Sequence, residues 1–372
     1  MTAAAARLNR LAVHDFRNLA RVELDAPADG FVLIGENGQG KTNLLEAIHY
    51  LNVLRSSRGA RDQDVVRFGA DGFHLRADVE TDRRHEISVG FERAGKRKRV
   101  RVDGTVPDKL SDALGALPSV LFSPDDVGLI TGAPSGRRRY LDILLALTNR
   151  RYLHALQRYR TALAHRNAAL RDPSRSSATI AVWEPPLAEF GAQLLAERRQ
   201  WIAGVESAFS ALSATIGETG EARLRYAGTV SATDDYTSAI ARALEEKRSS
   251  DIRRGVTQVG PHRDDLAATL DGRDIRVFGS AGQQRTAAIV LRMLEAATFT
   301  ERTTRAPIFL LDDPFAELDV RRSTRILEWL SRDERGAGQT ILAVPRETDI
   351  PSELTRLTRL RVAGGAVERF SA

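Results

Sequence analysis

A glycine-rich loop near the amino terminus is the stretch whose residue types and spacing point most directly to chemistry. The pattern G-x-x-x-x-G-K-[ST], which wraps the phosphates of a nucleotide, is matched by Gly35-Glu36-Asn37-Gly38-Gln39-Gly40-Lys41-Thr42. Its glycines allow backbone N–H groups to turn inward around an anion at the start of a helix. We expect Lys41 to reach the β- and γ-phosphates and the Thr42 hydroxyl to coordinate Mg²⁺. These residues predict a nucleotide site.

The segments on either side of this loop fit the structure that the motif requires. The apolar run 31–34 predicts a strand before the loop, and the helix-forming run 43–48 predicts a helix after it. The alternative interpretation is a glycine turn that merely precedes an ordinary helix. Because strand, loop and helix occur in the required order, we favour the nucleotide site.

Two adjacent carboxylates end an apolar run near the carboxyl terminus. Residues 308–311 predict a buried strand, which Asp312 and Asp313 follow. Open α/β sheets bind ligands at the carboxyl ends of their strands, so we expect this strand to lie parallel to the loop strand and beside it. Asp312 would then hold the Mg²⁺ shell, and Asp313 would polarise the attacking water. A strand that merely finishes in two aspartates is the weaker interpretation beside a phosphate loop.

A second stretch of small residues precedes another predicted helix. Residues 278–285, which include Ser280 and Gly282, lead into the helix-forming run 286–297. A serine and a glycine at a helix N-terminus can bind a phosphate, because the first N–H groups and the helix dipole both favour an anion. The sequence therefore predicts two halves of a phosphate-binding apparatus.

Composition bounds the remaining possibilities. The chain has 372 residues, of which 42% are hydrophobic, so it can bury a full core and is expected to form two domains or lobes. Lys and Arg number 55 against 49 Asp and Glu, and this modest excess permits a nucleic-acid partner without requiring one. The absence of cysteine excludes disulfides and thiolate chemistry. No apolar run approaches the ~20 residues of a membrane helix, so we expect no membrane partner and a soluble, cytoplasmic protein.

The segments around the loop predict β-structure. Two short strands, 8–16 and 21–24, precede the loop strand and indicate a small antiparallel sheet beside a parallel one. Arg17 and Asn18 lie between them, and the sequence leaves both nucleotide contact and a plain turn open. After the loop helix, an antiparallel meander is predicted with strands at 73–80, 86–91 and 98–102.

One strand of this meander carries arginine at alternate positions. Strand periodicity places Arg97, Arg99 and Arg101 on one face. They would form a strip that contacts the phosphates of DNA. The alternative is a solvated strand whose charges prevent aggregation. The sequence leaves both interpretations open.

The middle of the chain predicts a pair of long helices. A helix with Ser135 as its N-cap is expected to run to Leu170, and a second amphipathic helix spans 187–216. A short break at 171–178 joins them, so we expect an antiparallel hairpin whose apolar stripes are packing surface.

A β-hairpin is predicted just before the second phosphate stretch. Its strands are expected at 267–270 and 275–278, with a turn at Asp271-Gly272. His262 lies in the preceding turn, beside two carboxylates. A metal ligand or general base is one interpretation of His262, and a hydrogen-bonded structural histidine is the favoured one.

The content and order of these motifs resemble the ATP-binding-cassette (ABC) superfamily. The Ser-x-Gly-Gln pattern of Ser280, Gly282 and Gln283 is similar to the signature of that superfamily, which closes over the γ-phosphate held by the loop of another subunit. Glu317-Leu318-Asp319 resembles the superfamily's D-loop. Asp313 stands where the wider superfamily has glutamate, and its shorter side chain implies slower hydrolysis.

Across nearly the whole chain, the motifs are similar to those of the RecF family of bacterial recombination mediators. The resembling stretches are 15–18, 35–43, 122–125, 132–142, 151–156, 260–266, 278–285 and 310–319. The resemblance implies an α/β fold, an ABC-type ATPase head like those of Rad50 and SMC proteins. It implies a mixed β-sheet lobe and a helical second lobe that bears a short antiparallel helical arm. The first lobe would comprise 1–125 and 296–372, and the second 126–295.

The resemblance also implies what the site binds and does. Lys41 and Asp313 would serve catalysis, and Thr42 and Asp312 would hold Mg²⁺. The residues expected to hold ATP are Gly35, Glu36, Asn37, Gly38, Gln39, Gly40, Lys41, Thr42, Asn43, Arg17, Asn18, Ser280, Gly282, Gln283 and Asp319. Proteins of this family form homodimers with ATP, hydrolyse it slowly with stimulation by DNA, and bind duplex DNA and single/double-strand junctions. They help RecO and RecR load recombinase.

Other functions fit these motifs less well. A metabolic kinase needs a lid for its acceptor substrate and has no signature motif. A transporter ATPase would dimerise but would pair with a membrane protein, and segments 8–18 and 260–266 do not resemble that branch. A passive scaffold with a vestigial loop is a further alternative. A full SMC or Rad50 protein is excluded, because no long coiled coil fits between Leu170 and Leu187.

Overall fold

The structure, a computed structural model, describes residues 4–172, 174, 176–231, 233, 235–315, 318–330 and 338–370. Its internal contacts divide the chain into two compact units. Unit 1 comprises residues 1–126 and 295–372, and unit 2 comprises residues 127–294.

The elements follow in chain order. Those before residue 127 are β1 (Ala4–Ala5), β2 (Arg7–Phe16), β3 (Leu19–Asp25), β4 (Gly30–Ile34), α1 (Lys41–Val53), β5 (Gly72–Glu80), β6 (Arg84–Glu92), β7 (Arg97–Val102) and β8 (Ser119–Phe122). Then come α2 (Gly128–Thr131), α3 (Pro134–Thr148), α4 (Arg150–Arg171), α5 (Ser177–Ala181), α6 (Glu184–Ile216), β9 (Ala222–Ala227), α7 (Tyr236–Arg254), β10 (Asp265–Leu270), β11 (Arg273–Asp274), α8 (Ile275–Phe278) and α9 (Ala281–Thr303). The last elements are β12 (Arg305–Ala306), β13 (Ile308–Asp312), α10 (Val320–Leu330), β14 (Thr340–Val344), β15 (Thr358–Ala363) and β16 (Ala366–Arg369).

A mainly parallel sheet carries the loop strand. Among the described residues its strand order is β16-β15-β4-β14-β13-β8, and only the β15–β16 pair is antiparallel. Strands β4 and β13 are buried along their whole length, as their unbroken apolar sequences predict. The predicted parallel orientation of these two strands is confirmed, but direct adjacency is wrong, because β14 pairs with both. Both strands still deliver their carboxyl ends to one edge of the sheet.

An antiparallel sheet faces the other side of the unit 1 core. Its order is β3-β2-β5-β6-β7 in the described chain, and the predicted amino-terminal strands and meander are confirmed within it. One face supplies apolar side chains to a core shared with α1 and the parallel sheet, for example Phe16, Leu44, Leu75 and Leu310. Alternate residues point outward, which is the two-residue period of a sheet with one buried face.

Two helices of unit 2 form the predicted arm. His165 of α4 stacks on Trp183, with ring centroids 4.5 Å apart, and His154 meets Phe190 of α6 at 6.1 Å. Later residues of one helix therefore meet earlier residues of the other, which defines an antiparallel pair. The arm stays short, because α4 ends at Arg171 and α6 begins at Glu184.

The base of the arm is held by a buried arginine. Arg198 of α6 donates to the Tyr152 hydroxyl at 2.9 Å, to the Pro261 carbonyl at 2.7 Å and to Asp142 at 2.7 Å. A buried guanidinium is tolerated when its donors find charged and polar acceptors. These bonds tie α3, α4, α6 and the loop before β10 together.

The structure corrects the predicted first helix of the arm. A single helix from Ser135 to Leu170 is wrong, because the chain is extended at Asn149 and two helices meet there. The Asn149 side chain accepts from the N–H groups of Arg151 and Tyr152 and so caps α4. Ser135 is not the N-cap of α3, since the helix begins one residue earlier at Pro134, the favoured position for proline.

The predicted β-hairpin before the second phosphate stretch is only partly present. Its second strand is confined to β11, and residues 275–278 form the short helix α8 instead. The Asp274 side chain accepts from the Arg276 N–H at 2.8 Å, so it starts a helical turn where continued pairing was expected.

Candidate nucleotide site

The loop between β4 and α1 has the backbone that its glycines allow. Gly38 and Gly40 adopt positive φ angles of 80° and 116°, and Gly40 is the N-cap of α1. A Cβ at Gly40 would lie 2.8 Å from the Asn18 side-chain oxygen, so only glycine fits there. The first N–H groups of α1 therefore open toward the end of the loop, the arrangement that binds anions.

The loop lysine lies folded over its own loop. Lys41 is only 7% exposed, and its Nζ donates to the carbonyls of Gly35 and Glu36, the latter at 2.9 Å. Burial lowers the pKa of Lys41, whereas the charges of Asp312 and Asp313 raise it. Phosphate oxygens are better partners for an ammonium group than neutral carbonyls, so this side chain fits a phosphate ligand.

The threonine and the first aspartate of the predicted metal pair are brought together. The Thr42 hydroxyl donates to the Asp312 carboxylate at 2.9 Å across 270 positions of sequence. Burial raises the pKa of Asp312, and the hydrogen bond from Thr42 opposes that shift. Hydroxyl and carboxylate oxygens are the hard ligands that Mg²⁺ prefers. The described residues contain no group of three or more acidic or histidine side chains that could hold a metal.

The second aspartate follows the strand in an unusual backbone conformation. Asp313 has φ 43°, and its N–H donates to the Ala343 carbonyl of β14 at 2.9 Å. Aspartate tolerates this left-handed region better than most residues. The bond to β14 fixes the direction in which the chain leaves the sheet, at the edge where the loop also lies.

The turn between β2 and β3 braces the loop and its helix. Asn18 Nδ2 donates to the carbonyls of Gly38 at 3.4 Å and Gln39 at 3.2 Å, and its oxygen accepts from Asn43 at 2.8 Å. Arg17 instead forms two 3.0 Å hydrogen bonds with Glu46 of α1. Asn18 therefore contacts the backbone of the phosphate loop, whereas the Arg17 side chain pairs with α1.

Sequence reasoning missed the buried carboxylate that holds Arg17. Glu46 is 1% exposed and also accepts from the Ser56 hydroxyl at 2.5 Å. Within the sequence, Glu46 is one acidic residue in a helix-forming run, which is normally a solvent-exposed position. No local signal distinguishes it, because its partners come from other segments.

The second phosphate stretch, in unit 2, forms a reciprocal helix cap. The Gln283 N–H donates to the Ser280 hydroxyl oxygen at 3.3 Å, and the Ser280 N–H donates to Gln283 Oε1 at 2.8 Å. This is a capping box at the start of α9, and the pattern S-x-x-Q before a helical run could have revealed it. Ser280 is exposed and its oxygen acts here as an acceptor, so its hydroxyl hydrogen can still be donated. Gly282 lies in the first turn of α9.

The predicted D-loop is described only in part. Asp319 accepts from the Arg322 N–H at 3.0 Å and caps α10. Leu318 lies beside it, and Glu317 lies outside the described residues.

The histidine before β10 has structural partners. His262 lies 2.7 Å from the Tyr159 hydroxyl through Nδ1 and 3.0 Å from the Thr257 carbonyl through Nε2. Burial lowers the pKa of His262 to about 4. With both ring nitrogens engaged, the favoured structural interpretation fits the observed contacts.

The alternate arginines lie where strand periodicity puts them. Arg97, Arg99 and Arg101 are exposed on the outward face of β7, whereas Val100 is buried. Lys98, on the opposite face, forms a 2.8 Å ion pair with Asp62. None of the three arginines has an ion-pair partner in the part of the chain that the structure describes. The three arginines therefore form an exposed strip that lines a surface groove together with residues of β5 and β6 such as His74 and Ser88.

Comparisons with known proteins agree on one family. The RecF/RecN/SMC N terminal domain family matches residues 7–361. The DNA replication and repair protein RecF of Symbiobacterium thermophilum is 38% identical over 330 residues, which cover 86% of this chain and 87% of that protein. The protein of the same description from Frankia alni is 36% identical over 383 residues, covering 98% of this chain and all of that one.

Solved structures give the same result. A structure of the recombination mediator protein RecF with ATP, in the RecFOR pathway, has a TM-score of 0.90 and 28% identity and covers 100% of this chain and 99% of that one. An Smc head bound to the C-winged helix domain of ScpA has a TM-score of 0.56 at 16% identity, covering 98% of this chain and 97% of that one, which shows a shared fold. The predicted ABC-type head fold is thereby confirmed. Within the described residues, no helix has the length and apolar character needed to cross a membrane.

Proposed function

The chain belongs to the RecF family of DNA replication and repair proteins, and on that premise we propose that it is an ATP-operated DNA clamp of recombinational repair. It binds gapped DNA and single/double-strand junctions in the cytoplasm and helps RecO and RecR proteins load recombinase. ATP binding closes a homodimer, and slow hydrolysis, stimulated by DNA, opens it. The observation that carries the proposal is the convergence of Lys41, Thr42 and Asp312 at one edge of the parallel sheet.

In this proposal the phosphate loop holds the nucleotide by charge and position. Lys41 would leave the loop carbonyls for the β- and γ-phosphates, and Thr42 and Asp312 would hold Mg²⁺. The N–H groups at the start of α1 supply the remaining contacts. When bound, Mg²⁺ neutralises charge that develops on the transferring phosphoryl group.

Hydrolysis is assigned to the second aspartate. Asp313 accepts a hydrogen bond from the attacking water and orients it, which is the positioning that phosphoryl transfer requires. The side chain of Asp313 is one methylene shorter than that of glutamate, so its carboxylate would lie farther from the water. This greater distance supports slow turnover.

The second half of the ATP site comes from a second copy of the chain. Ser280 would donate its hydroxyl to the γ-phosphate, with Gly282 and the start of α9 beside it. Gln283 and Asp319 would lie at the same interface. We propose the lobe division that the resemblance implies, in which 1–125 and 296–372 hold the nucleotide and 126–295 carries the signature.

Molar mass in solution tests the clamp. We expect light scattering to report a monomer without nucleotide and with ADP, and a dimer with ATP. Lys41→Ala should lose nucleotide binding and remain monomeric, because the loop then lacks its main cation. Asp313→Asn should bind ATP and remain dimeric, because water activation is lost while the amide preserves the shape.

Two results would contradict this proposal in different ways. Equal ATP affinity in the wild type and in Lys41→Ala would show that the phosphate loop does not bind the nucleotide. A molar mass that does not change on addition of ATP, although nucleotide binds normally, would show that the Ser280 stretch does not bind phosphate in trans.

A further inference from the structure

The turn of the carboxyl-terminal hairpin lies against the phosphate loop. Gly364 and Gly365 connect β15 to β16, both with positive φ, in the two-residue turn that suits a twisted hairpin. The Gly364 N–H donates to the Gln39 side-chain oxygen at 2.6 Å, and the Gly365 N–H donates to the Gln39 carbonyl at 2.9 Å. The hairpin thus contacts the loop through two hydrogen bonds, which join residues more than 300 positions apart in the sequence.

The same loop carbonyl is held from a second direction. Asn18 Nδ2 donates to the Gln39 carbonyl at 3.2 Å, so this one oxygen accepts from both Asn18 and Gly365. In a trans peptide the C=O of one residue and the N–H of the next point in opposite directions. Holding the Gln39 carbonyl toward the hairpin therefore directs the Gly40 N–H away from it, at the start of α1, where a phosphate would be received.

The close approach makes glycine necessary at one turn position. Gly365 is buried and has φ 82°, and a Cβ there would lie 2.4 Å from the Asn18 carbonyl oxygen. A side chain at 365 must therefore displace either the turn or Asn18, and both are donors to Gln39. Gly104, in the turn after β7, also has a positive φ of 74° but would meet no atom within 4 Å.

We propose that the Gly364–Gly365 turn is a positioning element for the nucleotide, which acts with Asn18 to hold the Gln39–Gly40 peptide in its phosphate-binding orientation. This inference rests on the proposed binding of nucleotide at the phosphate loop. The turn does not touch the ligand; it acts through Gln39. Coupling is reciprocal, so a nucleotide that orders the loop must also stabilise the two hydrogen bonds from the turn.

Replacing Gly365 or Gly104 by alanine distinguishes the effect of backbone strain from the effect on the position of the phosphate loop. Gly365→Ala and Gly104→Ala both place alanine at a positive φ, so both should lower the unfolding temperature of the nucleotide-free protein. Only Gly365→Ala should weaken ADP and ATP binding in calorimetry, by about tenfold as for the loss of one hydrogen bond, with Gly104→Ala within about twofold of wild type. Equal nucleotide affinities in the two variants would overturn the positioning role.

Hydrogen exchange of the wild-type chain tests the coupling without a variant. ADP, which is not expected to cause dimerisation, should slow exchange at the amides of Gly364 and Gly365. The control is the Thr105 amide, which donates to the Val102 carbonyl in the turn after β7 and should exchange at an unchanged rate. Unchanged exchange at 364 and 365 with ADP bound would contradict the inference. A wild-type protein that binds neither ADP nor ATP would instead contradict the proposed function, so the two failures are distinguishable.

Discussion

At the scale of single residues, burial acts in opposite directions on the two charged groups at the centre of the site. It lowers the pKa of Lys41 and raises the pKa of Asp312, because each charged form loses hydration. Neighbouring groups compensate only part of this loss of hydration for each side chain. A Mg²⁺–triphosphate ligand supplies charge of both signs and would relieve both penalties, which is the electrostatic reason that this pair suits a nucleotide.

His262 provides a pH test of a buried side chain. Its pKa falls from 6.5 to about 4 on folding because the ring loses hydration, with Arg263 and Arg138 adding to the shift. Between these pH values the unfolded chain binds a proton that the folded chain does not. Stability should therefore be full above pH 6.5 and fall by about 3 kcal/mol as the pH drops to 4.

Urea unfolding between pH 4 and pH 7.5 would measure this effect. His262→Gln retains hydrogen-bonding groups but does not titrate, so its stability should depend less steeply on pH than that of the wild type. Parallel curves for the two proteins would show that His262 does not carry the dependence.

At the scale of elements, the capping box of α9 combines a structural and a proposed functional role in Ser280. Ser280→Asp keeps an oxygen that accepts from the Gln283 N–H, so the unfolding temperature should stay close to wild type. Its carboxylate would repel a γ-phosphate, so ATP should no longer double the molar mass. Ser280→Ala is the matched variant, and loss of the cap should cost it about 1 kcal/mol of stability.

Calorimetric unfolding and light scattering with ATP would separate these roles. A Ser280→Asp protein that still dimerises with ATP would exclude the serine from a phosphate site in trans. A large loss of stability in that variant would mean that the cap needs more than an acceptor oxygen.

At the scale of the whole molecule, the outward arginine strip of β7 predicts how DNA affinity depends on salt. Replacing Arg99 and Arg101 by glutamine should weaken binding to a gapped duplex. The salt slope should fall by about 0.9 for each DNA phosphate that the protein then leaves unneutralised. Arg21→Gln is the control, because Arg21 lies on the same sheet but is already paired with Glu23 at 2.6 Å.

Fluorescence anisotropy across about 50 to 200 mM salt would give both slopes. An unchanged slope in the Arg99 and Arg101 variant would leave the strip as a solvated strand, the alternative that the sequence left open. A decrease in affinity of Arg21→Gln equal to that of the strip variant would indicate a general charge effect.

The elements that depend on local spacing could be predicted from the amino-acid sequence. The loop motif, the unbroken apolar strands and the alternating strands were all predicted, because glycine content and apolar periods act within a few residues. Local reasoning was wrong at Asn149 and Asp274, where a side-chain cap ended or began a helix. In both cases a local hydrogen bond from a side chain to the backbone competes with continuation of the helix or strand. The spacing of apolar residues carries no information about such a bond.

Which distant residues meet at the site depends on how the whole chain packs. In the folded protein β14 lies between β4 and β13, Asp312 accepts from Thr42, and Arg17 pairs with Glu46. The Gly364–Gly365 turn likewise contacts Gln39. These contacts join segments far apart in the chain, and their energies depend on burial and close approach, which arise only when the sheets pack.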